Sequence, residues 1–266
     1  MAIKLIAMDL DGTLLNSGKR ISERNLAAIR AAAERGVGVT IATGRMYMAA
    51  AYFGREISAN VPLICCNGTV VQAIDTDVPL FIKHYDANVV RDVLTLCHDK
   101  GWYAQWYIGN NVYAEDFRPK MFKAYQTVED FHVIEVGNDF LSYTENVIQI
   151  VIRNFEGEIP AIVKQLSHTF AGKLRPQQNT GVSVDLTPPG MNKAVGLEKL
   201  MQSLGLTPNE VMVCGDADND LEMLEFAGLS IVTANGLPQA KALADFVTDS
   251  CDKDGVGKAI ERFVLV

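Results

Sequence analysis

Apolar residues recur along this chain in two rhythms. Short, nearly continuous runs sit at Ile3 to Leu10 (interrupted only by Lys4 and Asp9), Val37 to Ala42, Leu63 to Cys66, Val211 to Gly215 and Leu229 to Thr233. Such runs are the pattern of strands covered on both faces. Between them the spacing turns helical. Ser22 can cap a helix that carries Leu26, Ile29, Ala32 and Ala33 on one face, with Gly36 just beyond its end. Ala194 to Leu204, closed by Gly205, is a second helix, and Leu221 to Phe226, Ala240 to Ala244 and Val256 to Phe263 are further ones. Strand and helix in alternation predict a parallel sheet with helices on both sides, the doubly wound, Rossmann-like α/β arrangement.

The middle of the chain has another texture. Val90, Val93, Leu94 and Cys97 mark one face of a helix over Val89 to Cys97. Trp102 to Tyr107 and Val112 to Ala114 flank Ile-Gly-Asn-Asn and read as a hairpin. Val147 to Ile152 is a strand, Ile159 to Leu166 a helix, and Leu174 and Val182 to Leu186 are strands. Thr187-Pro188-Pro189-Gly190 then punctuates the chain, after which the buried-strand rhythm resumes. Val70-Val71 and Leu80 to Ile82 form a second hairpin pattern ahead of this stretch. The organisation expected is a discontinuous core, residues 1–84 and 188–266, with an inserted α+β domain over 85–187. Trp102, Tyr103, Trp106, Tyr107 and Tyr113 make the first hairpin of the insert aromatic. Packing inside the domain is the preferred reading for them, and contact with a sugar the alternative.

Composition narrows the function. The 266 residues are 48% hydrophobic and 21% charged, ordinary for a globular chain. The net charge of −8 argues against a nucleic-acid partner, which calls for a basic patch, but a metal ion could still bring in a small anion. The five cysteines are odd in number and form no Cys-x-x-Cys pair, so buried thiols in a reducing compartment are expected. The early apolar run does not read as a signal peptide, and no run approaches a membrane span, so a cytosolic, cytoplasmic location is expected. The lone histidines His84, His98, His132 and His168 lack metal-ligand spacing and are assigned structural or surface roles.

The candidate chemistry sits at the ends of the buried strands. In Asp9-Leu10-Asp11-Gly12-Thr13, residues i and i+2 share a face, so Asp9 and Asp11 aim at one spot beyond the strand's carboxyl end. That edge is where open α/β sheets bind ligands. Gly215-Asp216-Ala217-Asp218-Asn219-Asp220 follows another buried strand and brings more carboxylates to the same edge. Crowded carboxylates need a cation, and an all-oxygen set with few protein donors suits Mg2+. Thr43 with Gly44, and Lys193 at a helix start, add a hydroxyl, a bare N–H and an ammonium, as phosphoryl transfer requires. Taken singly, each residue has a plainer role: a turn aspartate, a helix-capping threonine, a solvated lysine. Asp218 in particular is expected to face solvent or cap locally. The ordered combination carries the argument.

Asp9-Leu10-Asp11-Gly12-Thr13, Ala42-Thr43-Gly44-Arg45, Lys193 and Gly215 to Asp220 resemble, in order, the four motifs of the haloacid dehalogenase superfamily of phosphatases. The length, the insert, and the tail Ala244 to Thr248 with Asp254-Gly255-Val256 are similar to its Cof-type sugar-phosphate branch. The resemblance implies Asp9 as nucleophile, forming an aspartyl-phosphate, and Asp11 as proton donor and then acceptor. It implies Mg2+ held by Asp9, the Asp11 backbone carbonyl and Asp216, with Asp220 orienting water and Lys193. Thr43, the Gly44 and Leu10 N–H groups, Lys193, Asn219 and Arg45 would cradle phosphate. The insert would act as a cap that closes over the core and selects the leaving group. The substrate implied is a small phosphorylated metabolite, such as a sugar phosphate, handled by a monomer or homodimer. Asn192, Ala217 and Thr233-Ala234-Asn235 depart from the usual pattern without removing a catalytic group. Two rivals stay open: a phosphosugar mutase of the same superfamily, and a non-enzymatic phospho-accepting signalling module.

Overall fold

The computed structural model describes residues 2–118 and 133–266. In chain order the first elements are β1 (Leu5–Met8), α1 (Glu23–Glu34), β2 (Gly38–Ile41), α2 (Tyr47–Glu56), β3 (Leu63–Cys65), β4 (Val70–Gln72) and β5 (Phe81–Ile82). The middle contributes α3 (Ala87–Lys100), β6 (Tyr103–Ile108), β7 (Asn111–Ala114), β8 (Val133–Glu135), β9 (Val147–Arg153), α4 (Ile159–Thr169), β10 (Arg175–Thr180) and β11 (Ser183–Thr187). The chain finishes with α5 (Lys193–Leu204), β12 (Val211–Gly215), α6 (Leu221–Phe226), β13 (Leu229–Val232), α7 (Pro238–Leu243), β14 (Phe246–Val247) and α8 (Gly255–Phe263). Two compact units result. One comprises Met1–Arg45, Ala50–Phe81 and Asn192–Val266; the other comprises Met46–Ala49 and Ile82–Met191. No helix among the described residues is long and apolar enough to cross a membrane.

The first unit is built on a five-stranded parallel sheet in the order β14-β13-β12-β1-β2. All four residues of β1 are buried. Leu5 and Ala7 join an apolar cluster with Leu197 and Leu200 of α5 and Met223 and Leu224 of α6. By the two-residue period, Ile6 and Met8 face the other way. On that side α1 packs against β2 and α8, with Ile29, Val256 and Ile260 fully buried. The sheet is thus covered twice, as continuous apolar runs require. Burying each Leu or Ile contributes about 1.5–3 kcal/mol.

β3 departs from a plain continuation of this sheet. It meets the end of β2 through a single parallel bridge, Ala42 to Ile64, and pairs antiparallel with β4 in a separate three-stranded sheet, β3-β4-β5. The reason is local. Cys66 and Asn67 both take left-handed backbone (φ 51° and 52°), which turns the chain back after only three strand residues.

The second unit is an α+β domain around a six-stranded sheet, β10-β11-β9-β6-β7-β8, antiparallel except for the β7–β8 pair. One sheet face carries Ala104, Trp106, Ile150, Ile152, Val184 and Leu186 into an apolar cluster with α3 and α4. Trp106 therefore follows the packing expectation, and its Nε1–H donates to the Tyr143 carbonyl at 2.8 Å.

Helix α5 begins where the Pro-Pro-Gly segment releases the chain, and Asn192 caps it by accepting the Val195 N–H at 3.0 Å. We expect Asn192→Ala to lower the unfolding free energy by about 1 kcal/mol, the ordinary value of such a cap. The urea midpoint of the variant against the parent checks this.

Candidate active site

Parallel register sets the site. Met8 of β1 lies beside Cys214 of β12, and the Asp9 N–H donates to the Cys214 carbonyl at 2.9 Å. The residues that follow the two strands, Asp9 and Asp216, therefore leave the sheet side by side. Gly12 makes this approach possible. It takes φ +87°, and a Cβ there would stand 2.4 Å from Asp216 Oδ2. Gly215 serves likewise, since its Cβ would press on Asp220 at 2.7 Å.

At the centre stands Lys193, whose side chain is wholly shielded from solvent. Its Nζ donates to Asp9 Oδ1 at 2.6 Å and to Asp220 Oδ1 at 2.7 Å. The other Asp220 oxygen accepts the backbone N–H groups of Asp216 and Ala217 at 2.9 and 3.1 Å. Thr13 Oγ1 donates to Asp216 Oδ1 at 2.9 Å. One carboxylate oxygen from each of Asp9, Asp216 and Asp220 lies within 4.8 Å of the others.

Three carboxylates thus face one ammonium. Burial pushes the Asp9 carboxyl well above its usual range, with Asp220 and Asp216 adding to the push against the opposing pull of Lys193. Burial and the Asp220 charge likewise raise Asp216 to about 6, although the Thr13 hydrogen bond works the other way. Burial alone would lower Lys193, but Asp220 and Asp9 overcome it and hold the ammonium charged. A divalent cation would relieve this excess of negative charge, and the all-oxygen donor set fits a hard ion such as Mg2+.

Asp11 is drawn into a different pair. Arg45 donates to it through Nε at 2.7 Å and Nη2 at 2.8 Å, and Lys19 Nζ donates at 2.7 Å. Partial burial works to raise the Asp11 carboxyl, but these two cations hold it well below the usual carboxylate range. The Arg45 guanidinium also lies 5.1 Å from the centre of the Phe53 ring.

The other sequence-derived candidates fall around this centre. Thr43 is buried, and its Oγ1 accepts the Arg45 N–H at 3.2 Å while Gly44 stays half-buried. The Leu10 carbonyl accepts the Leu15 N–H at 2.8 Å. Asn219 Nδ2 donates to Asn67 Oδ1 at 3.1 Å. Asp218 is exposed and accepts from Gln239, the local role expected of it. His84 and His168 are exposed, His98 pairs with Glu115 at 2.9 Å, and His132 lies outside the described residues. All five cysteines are buried and free.

Some contributors escape a motif reading. Thr13 belongs to the first motif, but its hold on Asp216 spans 203 residues. Asn67 sits in an unremarkable Asn-Gly. Thr233 and Asn235, the atypical segment, donate to the Gly12 carbonyl at 3.2 and 2.7 Å and so brace the turn after Asp11.

A family model described as haloacid dehalogenase-like hydrolase matches residues 6–260. The chain is 31% identical, over 97% of both sequences, to the 5-amino-6-(5-phospho-D-ribitylamino)uracil phosphatase YitU of Bacillus subtilis (strain 168). It is 28% identical to a phosphoglycolate phosphatase of Methanothermobacter thermautotrophicus, covering 98% of this chain and 99% of that one. Among solved structures, a haloacid dehalogenase-like hydrolase from Bacteroides thetaiotaomicron aligns with a TM-score of 0.88 at 28% identity, over 98% of this chain and 99% of the other.

Replacing Lys193 by Met leaves buried carboxylates without their cation, and we expect a loss of about 3–5 kcal/mol at pH 8. The sign with pH follows from Asp9. Its folded-state pKa is raised, so its contribution is favourable at low pH and is lost as pH rises through the folded value. The deficit should therefore be smaller at pH 5 than at pH 8. Urea unfolding of both proteins in chelator at the two pH values checks this.

Proposed function

The chain belongs to the haloacid dehalogenase-like hydrolase family, with Cof-type phosphatases among its relatives. From that premise we propose that it hydrolyses phosphomonoesters of small metabolites, sugar phosphates foremost, with Mg2+ and through an aspartyl-phosphate. The observation that carries the reading is the buried Lys193 ammonium between Asp9 and Asp220, with the Asp216 carboxylate in the same cluster.

Asp9, the backbone carbonyl of Asp11 and Asp216 would hold the metal, with Asp220 fixing Lys193 and the Asp216 backbone from behind. When bound, Mg2+ offsets the charge of the phosphoryl oxygens and of the carboxylates. A carboxylate oxygen of Asp9 forms a bond to phosphorus as the ester P–O bond breaks, and Asp11 gives its proton to the leaving alkoxide. Water then attacks phosphorus and passes its proton to Asp11, the bond to Asp9 breaks, and inorganic phosphate leaves. Leu10 and Gly44 N–H groups, Thr43, Asn219 and Lys193 would fix the phosphoryl oxygens, which is most of what such transfer asks of a protein. Arg45 is bidentate to Asp11. Its turning to the phosphate would release Asp11 for proton transfer.

The substrate class is supported by the names of the relatives. Two proteins of Bacillus subtilis, YitU and YcsE, 31% and 30% identical, are named as phosphatases of a phosphoribityl-aminouracil, and another relative as a phosphoglycolate phosphatase. All three names are those of phosphatases acting on small phosphorylated compounds.

Asp9→Asn should abolish turnover of sugar phosphates, and Asp11→Asn should lower kcat by about 10^2–10^4. Phosphate release with acid-quench labelling of the protein checks both. Turnover by the Asp9→Asn variant, or undiminished activity in excess chelator, would defeat the nucleophile or the metal.

A further inference from the structure

The turn that follows the first motif carries a side chain that the mechanism above does not use. Leu14 and Leu15 are buried and anchor the turn, and the Leu15 N–H donates to the Leu10 carbonyl at 2.8 Å. The chain then closes on itself. The Asn16 N–H donates to the Arg20 carbonyl at 3.0 Å, the Lys19 N–H to the Asn16 carbonyl at 2.9 Å, and the Arg20 N–H to Asn16 Oδ1 at 3.1 Å. The Ser17 N–H donates to Asp252 Oδ1 at 2.7 Å, which ties the turn to the segment before α8. Within this closed turn it is Lys19, not the neighbouring Gly18, that takes left-handed backbone, φ 57°. That conformation favours glycine, so a lysine held in it points to a use for the side chain.

The Lys19 ammonium reaches back to Asp11 Oδ1 at 2.7 Å, the oxygen that also accepts Arg45 Nη2 at 2.8 Å. Two cations therefore stand on one carboxylate. The Arg45 side chain is mostly shielded, whereas that of Lys19 is 63% exposed. An ammonium has three N–H donors, and one goes to Asp11. In the proposed reaction Asp11 must come within about 3 Å of the ester oxygen that it protonates. A cation on the same carboxylate then stands on the leaving-group side of the phosphorus, within reach of an anion one or two carbons beyond that oxygen. Lys193 and Arg45 are engaged with the phosphoryl group in that reaction, and Lys19 is the cation left over.

We propose that Lys19 is a specificity-determining residue, whose ammonium binds a carboxylate or other anionic group carried by the leaving group one or two carbons from the ester oxygen. This assignment rests on the phosphatase reading above. Within that reading it favours phosphorylated hydroxy acids, sugar acids included, over otherwise similar neutral esters.

Lys19→Gln removes the charge from an exposed side chain, and Lys19→Arg restores it. Steady-state kinetics are measured for 2-phosphoglycolate and for 2-hydroxyethyl phosphate, which has a hydroxymethyl group in place of the carboxylate. The ratio of kcat/KM for the acid to that for the neutral ester should fall about fivefold in Lys19→Gln, the upper range for an exposed ion pair, through a higher KM for the acid. It should recover in Lys19→Arg. An unchanged ratio, whether or not both rates fall, would mean that Lys19 serves Asp11 alone. That result, or a parent protein that hydrolyses the neutral ester but not the acid, overturns the subsite and leaves the phosphatase reading in place. A parent that turns over neither ester, nor p-nitrophenyl phosphate, overturns that reading and the subsite with it.

Discussion

A primary ammonium buried with no exposure to water can exist only where anions surround it, and Lys193 is that group here. It binds residues 184 positions upstream and 27 downstream, so its needs span the chain. Asp9 must leave β1, Asp220 must follow β12, and α5 must begin at residue 193 for the charge to be tolerated. The capping Asn192 and the Pro-Pro-Gly segment set that beginning. The same ammonium that makes the arrangement possible also leaves it short of positive charge, because three carboxylates gather where one cation stands. Catalytic potential and structural cost have a common origin in that imbalance.

Strand adjacency translates this local requirement into a site. β1 lies between β12 and β2, so the segments after three strands, carrying Asp9, Asp216 and Thr43, open at one edge. Gly12 and Gly215 permit carboxylates to approach where any side chain would intrude. The braces are indirect. Thr233 and Asn235 hold the Gly12 carbonyl, and Asn67 holds Asn219. These residues touch no proposed reacting atom, yet they fix the turns that do.

The core strands and most helices were legible because continuous apolar runs and helical spacing report burial directly. Asp9, Lys193, Asp216 and Asp220 were legible through their ordered combination, acids after buried strands and a lysine at a helix start, rather than singly. What was not legible was pairwise geometry. The Asn67-Gly68 turn that ends β3 is legible as a turn signal, but nothing in it tells that Asn67 supplies an oxygen to Asn219. The resemblance implies Arg45 as a phosphate ligand, and its sequence neighbours give no sign that its guanidinium lies on Asp11. β8 is three residues long and β14 two, too short for any period to show. Gln149 is a polar residue within the apolar strand VIQIVIR, and the sheet register places it on a buried face with Gln105 and Asp185.

The Arg45–Asp11 pair bears on how such a site avoids idle chemistry. The proton donor of the proposed mechanism must be protonated when the leaving group departs, yet Arg45 and Lys19 hold the Asp11 carboxyl well below the usual carboxylate range. A phosphoryl group can take a guanidinium in the same bidentate fashion as a carboxylate, and so could compete for Arg45. Binding would then both place the phosphorus before Asp9 and return Asp11 toward an ordinary carboxyl. On the proposed reading, readiness for proton transfer would depend on one side chain changing partners, with no rearrangement of the sheet.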